Sequence, residues 1–93
     1  MTLSLETVQE LPHRPGVYLL KDRAGKVLYV GKAKSLAQRV RAYLRPRRES
    51  GAWTNSLIAR TVAVETILTA NELESLDLEQ SLIKKLRPRY NVM

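Results

Sequence analysis

The stretch GVYLLKDRAGKVLYVGK, Gly16 to Lys32, decides the fold. Two arms rich in β-branched and aromatic residues, GVYLLK and KVLYVG, flank the tetrad DRAG, in which Gly25 can take a positive φ. That pattern is a β-hairpin. Each arm carries a tyrosine near its outer end. If Lys21 pairs with Lys26, Tyr18 opposes Tyr29, and directly opposed residues share a face. Leu20 and Val27 then lie with the tyrosines, and Val17, Leu19, Leu28 and Val30 lie opposite. Both faces are apolar, so the sheet needs cover on both sides. A bulge at Gly25 would instead shift the register by one residue and part the tyrosines.

Outward from the hairpin, SLETVQEL reads as a short helix with Ser4 as N-cap and Leu5, Val8 and Leu11 as its apolar stripe. Pro12 and Pro15 end it and force an extended entry into the first strand. AKSLAQRVRAYL reads as a helix with Leu36, Val40, Tyr43 and Leu44 on one stripe. An early start to that helix would put Lys32 and Arg39 on one flank, with Lys34, Arg41 and Arg45 elsewhere. RPRRESGAW is a loop, TNSLIAR a short helix and VAVETILT a third strand. From Asn71 to Leu86 the pattern is helical, with Asn71 as N-cap, Glu74 at capping-box spacing and Pro88 as the stop.

The 93 residues suit one small domain, standing alone or as a piece of a longer protein. The absence of cysteine removes disulfides and thiolate metal sites and fits a reducing compartment. A single histidine, His13, argues against a His cage or triad and reads as a loop residue. No apolar run approaches a membrane span, and the first residues lack the layout of a secretory signal.

Charge points to a polyanion. The net charge is +7, from 16 basic and 9 acidic residues. Lys32, Lys34, Arg39, Arg41, Arg45, Arg47 and Arg48 form a run without an acid, and Lys84, Lys85, Arg87 and Arg89 form a second. Such clusters suit phosphate backbones more than generic solubility.

One carboxylate is out of place. At about 100° per residue, Leu76 and Ile83 flank Glu79 on one side and Leu82 and Leu86 on the other. A glutamate in an apolar stripe needs a partner. A buried salt bridge to the basic run is one solution. The other is a hard divalent cation, Mg²⁺ or Mn²⁺, which takes carboxylate oxygen and completes its shell with water and substrate phosphate. Glu74 and Asp77 fall on the solvated side. Glu72 suits the helix dipole in the first turn.

GVY, a later YVG, an arginine in the following helix, a glutamate in a later helix and a terminal asparagine resemble the GIY-YIG nuclease domains. The phrases RPGVYLLKD, VLYVGKAKSLAQRVRAYL and NELESLDLEQSLIKKLRPRYNV are similar to the branch that forms the N-terminal domain of a bacterial nucleotide-excision-repair endonuclease subunit. The similarity is weakest from Arg47 to Thr61. It implies an α+β fold, a three-stranded antiparallel sheet flanked by helices on both sides. It implies divalent-metal-dependent cleavage of one DNA strand, 3′ to a lesion, and a cytoplasmic setting. Implied partners are damaged or distorted double-stranded DNA and the repair proteins that load the domain on it, and no membrane. The motif carries over to Tyr18, Tyr29, Lys32, Arg39, Glu79 and Asn91 as catalytic positions, with Glu79 on the metal. Gly16 and Gly31 are the motif glycines, and valine replaces the middle isoleucine of each tripeptide.

The chemistry expected from these residues is a one-metal hydrolysis. Arg39 offsets charge on the scissile phosphate. Tyr29 activates the water, and Tyr18 is its hydrogen-bonding partner. A free tyrosine has a pKa of about 10, so a basic role needs nearby positive charge, expected from Lys32. Gly31 permits close backbone approach. Asn91 contacts substrate or fixes local structure. Trp53 reads as packed or at an interface, with base stacking as the alternative. Two other functions fit the charge: a non-catalytic nucleic-acid-binding module, which leaves Glu79 unexplained, and a GIY-YIG nuclease for another branched DNA.

Overall fold

The structure, a computed structural model, describes residues 1–45 and 51–92. β1 (Gly16–Lys21) lies at the centre of an antiparallel sheet, between β2 (Val27–Ala33) and β3 (Ala63–Leu68). α1 (Leu5–Val8) precedes the sheet, and α2 (Leu36–Ala42) and α3 (Ala52–Arg60) lie between β2 and β3. α4 (Glu72–Leu86) and α5 (Arg89–Val92) close the chain. Among the described residues no helix is long and apolar enough to cross a membrane.

The hairpin forms, with a register two residues away from the expected one. Asp22, not Lys21, opposes Lys26: its N–H donates to the Lys26 carbonyl at 3.0 Å. The Asp22 carboxylate accepts from the N–H groups of Ala24 and Lys26, both at 2.9 Å. Gly25 takes φ 83°, which closes the turn and shifts the register by one. A bulge opposite Leu20 and Lys21 adds a second shift, so Tyr18 pairs with Gly31 and Tyr29 with Leu20. Two single shifts restore the alternation, and the tyrosines still share a face. The bulge does exchange two neighbours: Leu28 packs in the Tyr18 cluster and Val27 in the opposite one.

Helix starts follow the local chemistry. Ser4 and Thr7 form a capping box on α1. Ser35 caps α2 by accepting from the Gln38 N–H at 3.3 Å. The free N–H groups of Leu36 and Ala37 donate to the carbonyls of Arg14 and Pro12 at 3.0 and 3.1 Å, so the proline segment completes the helix end. Because α2 starts only at Leu36, Lys32 stays in β2 and shares no helical flank with Arg39. α3 begins directly after Gly51, so Ala52 and Trp53 are helical rather than loop. Arg47 and Arg48, with the rest of 46–50, lie outside the described residues. Asn71 caps α4 through the Glu74 N–H at 2.8 Å, and the Glu74 carboxylate accepts from Ala70, one residue before the cap, at 3.2 Å. Arg87, at φ 45°, ends α4, and Pro88 opens the unexpected α5.

The sheet is covered on both faces. Val8, Leu11, Leu36, Ala37, Val40 and Leu57 pack with Tyr18, Leu20 and Leu28 on one side. Leu78, Leu82 and Ile83 of α4 pack on Val17, Leu19 and Val30 on the other. Burying each such side chain contributes roughly 1.5–3 kcal/mol. The partly exposed pair Lys21–Glu65, at 2.5 Å, contributes at most about 1 kcal/mol. Packing therefore dominates the stability of this sheet. Leu86, expected in the stripe of α4, is 42% exposed, because packing against the sheet stops at Ile83.

Candidate active site

Tyr18 leaves the central strand and is 2% exposed, with its hydroxyl 2.8 Å from that of Tyr43. Its cross-strand partner is Gly31, and a methyl group there would fall inside the Tyr18 ring and hydroxyl. The close approach expected at Gly31 is therefore the phenol lying over the strand. Gly16, at the other end of the motif, likewise has Ile67 and Leu36 where a side chain would stand. The half-buried Tyr29 places its ring centroid 6.2 Å from that of Tyr18. Arg39 is exposed on α2, and Tyr43 follows it by four residues, on the same side of the helix.

These groups line one cleft of about 340 Å³, bounded by Tyr18, Tyr29, Arg39, Tyr43 and Trp53. A second groove of about 410 Å³ shares Arg39 and continues past Lys32, Lys34 and Arg45 to Glu72 and Ser75. Arg39 thus stands where a tyrosine cleft meets a basic groove. Lys34 is 3.8 Å from Glu72, and both are well exposed. Arg41 faces a hollow beyond α2 with His13, whose Nδ1 is 3.3 Å from the Ser35 hydroxyl.

Burial pushes the Tyr18 phenol far above its ordinary range, and Tyr43 and Tyr29 add to the shift while Arg39 opposes it. Burial also raises Tyr29, followed by Tyr43 and Glu79, against Arg39 and the Tyr18 hydroxyl. The Glu79 carboxylate, on the far helix, is thus in electrostatic reach of Tyr29. Among the described residues the cation acting on both tyrosines is Arg39, not Lys32. Strand alternation explains the correction: Tyr29 and Gly31 point to one face of β2, and Lys32 to the other.

Glu79 is half-buried on the side of α4 that carries Leu78, Leu82 and Ile83. Among the described residues Glu79 makes no salt bridge, the ion pairs there being Lys21–Glu65 and Lys34–Glu72; Arg47 and Arg48 of the basic run lie outside them. No group of three or more His, Cys, Asp or Glu side chains that could hold a metal exists among the described residues. A cation here would have Glu79 as its protein ligand, with its other positions open. That donor set fits Mg²⁺ or Mn²⁺, which retain several waters.

Asn91 uses both ends of its amide on Val30. It accepts from the Val30 N–H at 2.8 Å and donates to the Val30 carbonyl at 2.9 Å, as a strand neighbour would. Of its two expected roles, fixing local structure is the one the geometry displays. Lys84, Lys85 and Arg87 are exposed at the end of α4, outside the cleft and groove. Arg89 lies 5.7 Å from the centre of the Tyr90 ring. Sequence reasoning missed Tyr43 and Tyr90 as neighbours of the site. The spacing of Tyr43 from Arg39 was a usable signal, whereas nothing local announces that Tyr90 folds back against Trp53, 5.9 Å away.

A hairpin carrying two same-face tyrosines, an arginine on the next helix and an isolated carboxylate on the last long helix define the GIY-YIG class of domain. A family model described as the UvrC-like GIY-YIG domain matches residues 14–92, and the chain belongs to that family. It is 49% identical over 88 residues to UvrABC system protein C of Carboxydothermus hydrogenoformans, covering 95% of this chain and 14% of that protein. To the protein of the same name from Geobacter metallireducens it is 55% identical over 82 residues, covering 88% of this chain and 13% of the relative. The chain thus spans about one-seventh of the length of these relatives. The magnesium-bound crystal structure of the GIY-YIG N-terminal endonuclease domain of UvrC from Thermotoga maritima superposes with a TM-score of 0.80 at 41% identity, covering 94% of this chain and 93% of that one. Three Tyr→Phe variants and one Asn→Ala variant of that domain were also solved with the divalent cation.

Proposed function

We infer that this chain is a metal-dependent DNA endonuclease domain of excision repair, making the incision 3′ to a lesion as part of a longer protein with loading partners. The observation that carries this reading is Glu79, a half-buried carboxylate without an ion pair among the described residues, electrostatically coupled to Tyr29, which lines a cleft shared with Arg39. A divalent cation on Glu79 would supply Lewis-acid stabilisation of the phosphate and offset the carboxylate charge that raises Tyr29. Arg39 faces the charge that develops on the scissile phosphate. Tyr29 orients the attacking water and takes its proton as the phenolate, its own phenolic proton having been released to solvent with the negative charge offset by Arg39 and by the cation that Glu79 would hold. The deeply buried Tyr18 stays protonated and, with Tyr43, holds the tyrosine cluster in place through their shared hydrogen bond. Lys32, Lys34 and Arg45 carry the flanking backbone along the groove.

The test is Mg²⁺-dependent nicking of damaged duplex, with bubble, flap and junction DNA as competitors and the repair partners present. Glu79→Ala should bind DNA normally and fail to nick. A wild-type domain that binds and never nicks would sink the endonuclease reading in favour of a binding module. A preference for junctions would move the substrate to another branched DNA.

A further inference from the structure

Trp53 is the one tryptophan in this chain. It lies in the first turn of α3 and meets Tyr29 edge-on at 5.5 Å and Tyr90 at 5.9 Å. Tyr90 is itself fixed, 3% exposed with its hydroxyl 2.7 Å from that of Ser56. The indole is therefore held by two aromatic neighbours, yet Trp53 as a residue remains 38% exposed. Trp53 lines the same 340 Å³ cleft as Arg39. An aromatic plane and a guanidinium on one small cleft match the two halves of a nucleotide, a flat base and its phosphate.

We propose that Trp53 stacks on an unstacked nucleobase adjoining the cleaved bond, making it a substrate-positioning and specificity residue of this domain. The proposal rests on the endonuclease reading. A base inside an intact duplex has both faces covered, so this contact forms only where the strand is distorted. Trp53 would thereby favour cutting beside a distortion without reading base identity, because every base has a π-face.

The tryptophan is its own reporter. In the Glu79→Ala background, which leaves DNA uncut, intrinsic fluorescence should be quenched on adding duplex with an unpaired nucleotide and little changed by fully paired duplex. Labelled-DNA anisotropy records binding independently. Trp53→Leu should weaken binding of the distorted duplex about 10-fold, and Trp53→Phe should recover most of it. Replacing the adjoining nucleotide by an abasic one should cost the wild type the same factor and cost Trp53→Leu nothing more. Binding without quenching, or additive effects of Trp53→Leu and the abasic site, would overturn the stacking role and leave the nuclease reading intact. Such a result would show Trp53 as a prop for Tyr29 alone. Absence of DNA binding by anisotropy would overturn both.

Discussion

The two faces of this sheet come from alternate residues of the same strands and have different duties. The α4 face is aliphatic: Val17, Leu19 and Val30 meet Leu78, Leu82 and Ile83. The opposite face carries Tyr18, whose hydroxyl is tied to Tyr43 and whose ring approaches Tyr29. Aliphatic groups bury area and need no partner. A buried phenol buries comparable area but must satisfy its hydroxyl, which ties its position to other polar groups. The aliphatic face therefore fixes where α4, and with it Glu79, sits. The tyrosine face holds the proton-handling groups. Glu79 and Arg39 arrive from helices on opposite sides, and neither face alone contains the site.

This division can be broken at several points. Arg39→Ala removes an exposed group that faces the phosphate, so single-turnover nicking should slow by about 10²–10³-fold. Its urea midpoint should correspond to a change within about 0.5 kcal/mol. Equal losses of rate and stability would erase the distinction between site and scaffold.

Gly31→Ala strikes both at once, because its methyl group displaces the Tyr18 phenol. It should cost about 1–3 kcal/mol and slow nicking. Gly25→Ala, strained at φ 83° in the turn, should cost about 1 kcal/mol with the rate per folded molecule unchanged.

Val17→Ala samples the aliphatic face alone. Denaturation should show a loss of about 2 kcal/mol, again with the rate per folded molecule unchanged. A rate that falls with it would show that α4 transmits small shifts to Glu79.

The smallest effect is expected for Tyr18→Phe, about 1 kcal/mol from the lost hydroxyl pair. It also carries a pH signature. The native pKa of Tyr18 lies above its ordinary value of 10.0, so the folded state holds that proton more tightly. Its contribution is complete below pH about 10 and declines as the pH rises beyond it. Urea titrations across this range should show a loss in wild type that Tyr18→Phe lessens. A wild type as stable above that pH as below it would contradict the burial of the phenol.

Much of the site was legible without coordinates. The alternation of GVYLLK and KVLYVG predicted a hairpin buried on both faces, and the position of Glu79 in an apolar stripe marked an unusual carboxylate. The register was not legible, because a three-residue turn and a distant bulge each move the pairing by one. Their cancellation depends on packing beyond the hairpin. Lys32 looked like the neighbour of Tyr29 because the two are close in sequence, but alternation sends them to opposite faces. The role of Asn91 was equally hidden, since it pairs with Val30, 61 residues away.

By itself, the sequence determined the hairpin, the third strand and the helices before α5, the Ser4 and Asn71 caps, the two-sided burial and the types of group available: phenols, guanidinium groups in a basic run, one misplaced carboxylate. These follow from local propensity and periodicity, which act over a few residues. Tertiary structure alone decided which of them meet. It set Tyr43 on Tyr18, brought Glu79 within electrostatic reach of Tyr29 and placed Trp53, backed by Tyr90, at the cleft. Such contacts join residues far apart in the chain, and only the packing of helices on both faces of the sheet selects them.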